Sequence, residues 1–364
     1  MLFPYTYVPH QMEKMQEFID FIFFEVWCRA PIGLVFHPDL FDNNLDLKEV
    51  MVEFGFSPKA AEAGKTFYKQ VKAIYGLFSS LSLQEILQFK LWYEGNNNLE
   101  KVCANDPAIP LVRYADIAVS HKDLAAQLGT FFKGLYSQSL LGLVALREKI
   151  GYIDDHYQFF VQKNNTGKCP FCGINDLFGE YHTKRDAYDH YLPKAIYPFN
   201  SINFRNLVPA CHHCNSSYKA SKDPAYTPKD PHGNTQRRKV FFPFTEAPYA
   251  IELRVTLQHA DIKNLTPDDV DLQFGPAALD EKIDTWKDVY GIEELYKAKF
   301  CGENDGKYWL TQALDEWRED GRQPTDILKT VTRQAQNNPY AECNFLKKPF
   351  LDACSQKGIF GAIS

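Results

Sequence analysis

Cys169-Pro170-Phe171-Cys172 and Cys211-His212-His213-Cys214 decide the reading of this chain, with Asp189-His190 and Asn206 between them and Asn215 directly after the last cysteine. Two Cys-x-x-Cys knuckles offer four soft thiolates in paired spacing, the usual donor set for one tetrahedral zinc. The 38 residues separating Cys172 from Cys211 exceed the roughly 15 to 20 of a simple zinc ribbon, so a structured insert is expected between the two halves of the metal site. Within that insert, 187–192 reads as a strand, and Asn206-Leu207-Val208-Pro209 leads into a helix that begins near Cys211. The expected metal is one structural zinc per chain, pinning a strand-turn-helix unit too small to hold itself together.

The same short unit holds the groups needed to cut a phosphodiester: a base for water, a cation for phosphate charge, and positioned donors. His190 can serve as the base, because imidazole titrates near neutral pH. Adjacent strand residues point to opposite faces, so Asp189 and His190 cannot aim at one atom, but they can flank a phosphate if a cation lies between strand and helix. Asp189 and Asn215 would then supply hard oxygen ligands for magnesium or manganese. Asn206 would fix the histidine strand by a side-chain to backbone hydrogen bond. Lys219, about one helical turn after Asn215, is expected to reach a phosphate.

Composition bounds the rest. The chain has 364 residues, 45% hydrophobic and 15% aromatic, enough for a substantial core divided into two or three parts. Its longest apolar runs, such as Phe21-Ile22-Phe23-Phe24 and Leu140 to Ala145, fall short of the roughly 20 residues a membrane span needs. Nine cysteines, five of them scattered (Cys28, Cys103, Cys301, Cys343, Cys354), and no evident signal peptide lead to the expectation of a cytoplasmic protein with reduced thiols. The net charge of -6 hides a contrast, since 161–240 carries twelve Lys or Arg against six acids. A basic island in an acidic chain places a polyanionic partner at the island. No phosphate-binding glycine loop, dinucleotide fingerprint or Ser-His-Asp arrangement stands out.

Three parts are expected: a helical N-terminal domain over 1–160, the zinc module over 161–240, and a strand followed by helices over 241–364. Helical spacing from Met12 to Trp27, Ser57-Pro58 as a helix start, and capping boxes at Ser82 and Ser120 support the first part. The Ser120 box is expected to open a long helical run to about Lys149. Alternation from Ile251 to Leu257 predicts a strand, and helices are expected over 279–300 and 308–318. The fold class is therefore α+β. Phe21, Phe23, Phe24, Trp27, Trp286, Tyr290 and Tyr296 are expected to be core residues. His212 and His213 are expected outside the zinc shell, and His182 at a turn.

The pattern Cys169-x-x-Cys172, Asp189-His190-Tyr191-Leu192-Pro193-Lys194, Asn206-Leu207-Val208-Pro209, and Cys211-x-x-Cys214-Asn215 followed by Lys219 resembles the HNH endonucleases of ββα-metal fold. The resemblance implies a metal-dependent nuclease, with His190 as general base, Asp189 and Asn215 on the catalytic magnesium or manganese, and Asn206 orienting the histidine strand. Lys194, Arg205 and Lys219 are the basic side chains expected at the substrate, with DNA the first expectation. Colicin-like members place a histidine one turn after the Asn215 position; Lys219 stands there instead, so the chain looks like the asparagine-type branch. The motif string also resembles HNH proteins of prokaryotic anti-phage defence, some of which work beside a separate ATPase. Flanking regions that bind a partner or a second copy are consistent with that resemblance. Two other readings stay open: a non-cleaving nucleic-acid-binding zinc module, and an assembly subunit activated by a partner.

Overall fold

Ser82 caps the helix Leu83–Asn97, its side chain accepting from the Glu85 N–H while the Glu85 carboxylate accepts from the Ser82 N–H at 2.7 Å. The structure, a computed structural model, describes residues 1–360. Ser57 behaves differently from expectation: it closes the helix Leu45–Phe56, and the next helix, Glu62–Phe78, starts only after Ala61. Ser120 does not cap either. His121 takes the N-cap of Lys122–Leu135, and the expected long run breaks into that helix, Gln138–Leu141 and Val144–Ile150. The first break falls at Tyr136 and Ser137, the second at Gly142 and Leu143, and Gly151 ends the last piece.

The described chain is α+β: helices dominate, and two separate two-stranded antiparallel sheets accompany them. The first sheet pairs β1 (Tyr188–His190) with β2 (Leu207–Pro209), Asp189 opposite Val208 and His190 opposite Leu207. The second pairs β3 (Glu252–Leu257) with β4 (Val270–Gly275), and the helix Asn344–Gln356 packs across β3. The expected C-terminal helices form as Asp280–Tyr290, Ile292–Cys301 and Gly306–Arg318, the first two parted by Gly291 at φ +61°. Among the described residues no helix is long and apolar enough to cross a membrane.

A single apolar core runs from the N-terminal helices through 161–240 into the C-terminal region. Phe171, inside the first knuckle, is fully buried and stacks on Tyr290 at 4.2 Å between ring centroids. Burying such a ring contributes about 1.5–3 kcal/mol. The Trp286 indole donates to the Phe171 carbonyl at 2.7 Å, and the Tyr296 hydroxyl donates to the Cys172 carbonyl at 3.0 Å. Trp27 and Phe23 are core residues, whereas Phe21 and Phe24 are half-buried against the core. On the N-terminal side, the buried Asn96 amide donates to the Pro198 carbonyl at 3.0 Å, and the Leu2 N–H donates to the Pro170 carbonyl at 2.8 Å. The central segment is thus braced from both flanks.

His156, on the helix Ile153–Lys163, docks that helix against β1 by a hydrogen bond to the Tyr188 hydroxyl and a ring contact with Phe204 at 4.5 Å. It is 3% exposed, and burial, with His10 nearby, pushes its imidazole down to about 4. The folded protein therefore holds His156 neutral, while the unfolded chain takes up a proton near pH 6.5. Its contribution is present above pH 6.5 and disappears as pH falls to about 4. The loss should approach about 3 kcal/mol at 1.36 kcal/mol per pKa unit. Urea denaturation at pH 7 and pH 4 should show His156→Gln losing less stability than the native chain over that interval; equal acid losses would remove His156 from this role.

Candidate nuclease and metal site

The first knuckle is a tight turn in which the Gly173 N–H donates to the Cys169 carbonyl at 2.7 Å, with Gly173 at φ +68°. A side chain at Gly173 would meet Leu2 within 2.4 Å, so both backbone conformation and packing require glycine there. The second knuckle opens the π-helical turn His213–Lys219. Together they bring Cys169, Cys172, Cys211 and Cys214, all buried, into one cluster whose sulfurs lie within 4.8 Å of one another. Among the described residues this is the one group of three or more Cys, His, Asp or Glu placed to hold a metal ion.

The cluster could hold a metal ion such as zinc. Zinc–sulfur bonds of about 2.3 Å put tetrahedral sulfur–sulfur edges near 3.8 Å, and Cys172 Sγ lies 4.0 Å from Cys211 Sγ. Backbone and amide donors surround the sulfurs: Asn175 Nδ2 to Cys211 Sγ at 3.4 Å, the Cys214 N–H to Cys211 Sγ at 3.4 Å, and the Cys211 N–H to Cys169 Sγ at 3.5 Å. Such donors delocalise thiolate charge and fix ligand orientation. The four thiols share their protons: hydrogen bonding, from Cys169 first, holds those of Cys211 and Cys172 below their ordinary range, while burial pushes that of Cys169, and hydrogen bonding to Cys169 that of Cys214, well above it. Burial instead pushes the isolated thiols of Cys28 and Cys354 up to about 12, leaving them inert. His212 and His213 are exposed, outside the sulfur shell.

Beyond the cluster, Asn206 extends the β1–β2 ladder with its side chain. Asn206 Oδ1 accepts from the Leu192 N–H at 2.7 Å, and Nδ2 donates to the Leu192 carbonyl at 3.1 Å and the Asn200 carbonyl at 3.2 Å. The backbone carbonyl of Asn206 accepts from the Tyr191 N–H at 2.9 Å. Asn206 is fully buried, so every polar atom must find a protein partner, and these bonds hold the chain two residues after His190.

His190 is half-buried, and its ring Nε2 lies 2.9 Å from the Ser201 carbonyl. A carbonyl only accepts, so Nε2 carries the proton and Nδ1 keeps its lone pair. Burial, reinforced by the Lys194 charge, pushes the imidazole down to about 3, leaving it neutral at physiological pH. The Tyr136 ring meets His190 edge-on at 4.9 Å, and the Lys194 ammonium lies 5.5 Å from the Tyr136 ring centroid. The Tyr136 hydroxyl is buried without a hydrogen-bond partner.

Asp189 faces away from His190, as strand alternation requires, and is 2% exposed. Its Oδ1 accepts from Lys219 Nζ at 2.7 Å, and the same ammonium donates to the His190 carbonyl at 2.8 Å. Asp189 Oδ2 and the Tyr290 hydroxyl are buried side by side, each without any other hydrogen-bond partner, and hydrogen bonding from Tyr290 helps to hold the carboxyl down. Burial pushes the Asp189 carboxyl up, while the Lys219 charge opposes that shift.

Lys219 therefore departs from the expectation of a phosphate-facing lysine: it is 1% exposed and turned inward, because its ammonium neutralises a carboxylate that has no access to water. Asn215 is half-buried one turn earlier. Lys194 is half-buried beside Tyr136, and Arg205 is exposed with its guanidinium 4.5 Å from the Tyr7 ring. His182 is exposed in a turn, its Nδ1 accepting from the Gly179 N–H at 3.0 Å. Tyr136, Ser201 and Tyr290 were not legible as site residues. Tyr136 and Tyr290 lie outside the motif, and Ser201 contributes only its backbone carbonyl.

Comparison with known proteins finds no matching family model, no matching curated protein and no matching solved structure.

Asn206→Ala removes both partners of the Leu192 peptide group at a fully buried position. At about 1–3 kcal/mol per orphaned buried group, the variant should lose about 3 kcal/mol of unfolding free energy. A denaturation midpoint unchanged from the native chain would show that the amide clamp contributes nothing.

Proposed function

We propose that the chain is a metal-dependent nuclease of the HNH type that hydrolyses phosphodiester bonds in nucleic acid, with DNA the first candidate. The observation that carries the reading is His190 on a short hairpin, its tautomer set by the Ser201 carbonyl and the following residues held by the Asn206 side chain. That geometry leaves Nδ1 unprotonated and able to accept a proton, although burial makes it a weaker base than the near-neutral imidazole expected from the sequence. The order of motifs supports the same reading, as does the antiparallel β1–β2 pair followed by a helical turn and joined by four cysteines.

Two metals belong to this proposal. Zinc, one per chain, would be structural, held by Cys169, Cys172, Cys211 and Cys214. For the second, the motif resemblance points to Asp189 and Asn215, hard oxygen donors of the kind magnesium or manganese takes once the Asp189 carboxylate is released from Lys219. When bound, that cation would neutralise charge on the phosphate and the leaving oxygen. The chain's own residues orient and accept: Asn206 holds the strand, Ser201 fixes the imidazole, and Lys194 and Arg205 supply positive charge for the backbone of the substrate. Service in a cytoplasmic anti-phage system beside an ATPase extends the proposal on motif resemblance alone.

His190→Ala should lower cleavage by about 100 to 10,000-fold, the range of a lost general base, with nucleic-acid affinity nearly unchanged. Activity of the native chain should vanish in EDTA and return with magnesium or manganese, while elemental analysis still finds one zinc per chain. Full cleavage by His190→Ala would move the base elsewhere, and full cleavage in EDTA would exclude the second metal.

A partner-activated version of this reading is favoured by Tyr136, which packs perpendicular to the His190 ring from the end of the N-terminal helix Lys122–Leu135. If Tyr136 shields the base, Tyr136→Ala should raise the basal cleavage rate several-fold. A fall in rate would identify Tyr136 as a contact for substrate instead.

A further inference from the structure

We propose that an aromatic cleft bearing Arg205 takes one unstacked nucleotide, so that the strand bound there is single-stranded or locally unpaired. The inference deepens the proposed nuclease reading and rests on it for the choice of ligand.

The cleft, about 450 Å³, falls within the roughly 300–1,000 Å³ of pockets that hold small ligands. Phe3 and Phe244 line it as buried rings, and Tyr7 and Tyr340 line it as half-buried ones with part of their surface in water. The rings brace one another: Phe3 meets Tyr340 at 4.4 Å between centroids, and Tyr7 meets Phe244 edge-on at 5.4 Å. Among the described residues Arg205 is the one cation on the lining; its guanidinium packs 4.5 Å from the Tyr7 ring centroid and forms no ion pair. The walls come from the N-terminal segment, the 161–240 region and the C-terminal region, so the tertiary fold fixes their spacing.

Aromatic faces beside an unpaired guanidinium match a base with its own phosphate, the base stacking on a ring and the phosphate taking the charge. A purely apolar ligand would leave the guanidinium unused, and a bare phosphate would leave the rings unused. Glu246, exposed on the same lining, repels a phosphate and accepts from N–H or O–H groups, which places the phosphate at Arg205 and turns a base amine or sugar hydroxyl toward the carboxylate. In a duplex the bases are stacked on one another and offer only their edges in the grooves, so their faces cannot meet these rings. Arg205 stands two residues before Leu207, the residue opposite His190, which puts the anchored strand on the hairpin of the proposed base.

The test uses the zinc-loaded full chain in EDTA, which stops metal-dependent cleavage, and a fluorescein-labelled oligodeoxynucleotide, single-stranded or annealed to its complement, followed by anisotropy. The single strand should bind more tightly than the duplex. Tyr340→Leu should weaken single-strand binding by about 5 to 100-fold, the contribution of one stacked base, with duplex binding changed less than about twofold. Arg205→Gln should weaken single-strand binding and lower its salt dependence by about 0.7 in log–log slope, one phosphate contact. If Tyr340→Leu folds poorly, the native chain answers instead: 5-iododeoxyuridine in the single strand should photocrosslink to Tyr7, Phe244 or Tyr340, mapped by mass spectrometry. Equal affinity for the two forms, binding of neither, or crosslinks confined to other residues overturns the cleft. Cleavage of nucleic acid without a crosslink in the cleft leaves the nuclease reading standing, whereas a crosslink in the cleft without cleavage under magnesium or manganese overturns that reading and leaves the cleft as a binding site.

Discussion

Four sulfurs within 4.8 Å of one another are the constraint on which the arrangement around His190 depends. Strands of three residues each cannot hold their own register, because a pair so short buries too little and leaves most of its ladder at the ends. A metal ion held by the four cysteines would tie the turn around Phe171 to the helical turn His213–Lys219. The sulfur cluster would thereby close a loop through the insert that carries both strands. The flanks then add directional bonds to the same turn: Trp286 and Tyr296 from one side and Leu2 from the other hydrogen-bond to the carbonyls of Phe171, Cys172 and Pro170. The insert is held from three directions, although its own hairpin is minimal.

Polar groups around β1 divide by face. The inward face carries Asp189 with Lys219, beside aromatic rings from the C-terminal helices; the other carries His190 with Ser201, Lys194 and Tyr136 from the N-terminal region. Both faces are organised by bonds to backbone carbonyls, since Lys219 reaches that of His190 and His190 that of Ser201. A change on one face therefore acts on the other through a single peptide unit.

Much of this was legible in the residues, and the failures have physical causes. The cysteine spacing located the cluster because thiolates at i and i+3 have few other common uses. The β1 strand, the Asn206 hydrogen bonds to backbone and the Ser82 cap were legible because each depends on local pattern. Ser57 and Ser120 misled because a serine before a helical run is only one of several groups able to end or start it. Lys219 misled for a different reason: spacing places a residue on a helix face but does not say which face is buried. Tyr136 and Tyr290 join the site through tertiary contacts, 54 and 100 residues from His190, for which no periodicity or motif exists.

The Asp189–Lys219 pair also shows why stability alone is a poor explanation for the polar interior of this site. Moving two charges out of water costs several kcal/mol per ion, and an apolar pair of similar volume between strand and helix is often as stable. A bare aspartate would be worse than either, since an unpaired carboxylate beside Phe171, Tyr191 and Tyr290 would take up a proton, as the upward push on Asp189 already indicates. A lysine that reaches the carboxylate from the next element opposes that protonation and ties the helical turn to the strand. The buried carboxylate is thereby kept charged and paired within the fold, a combination that neither an aliphatic contact nor an isolated acid provides.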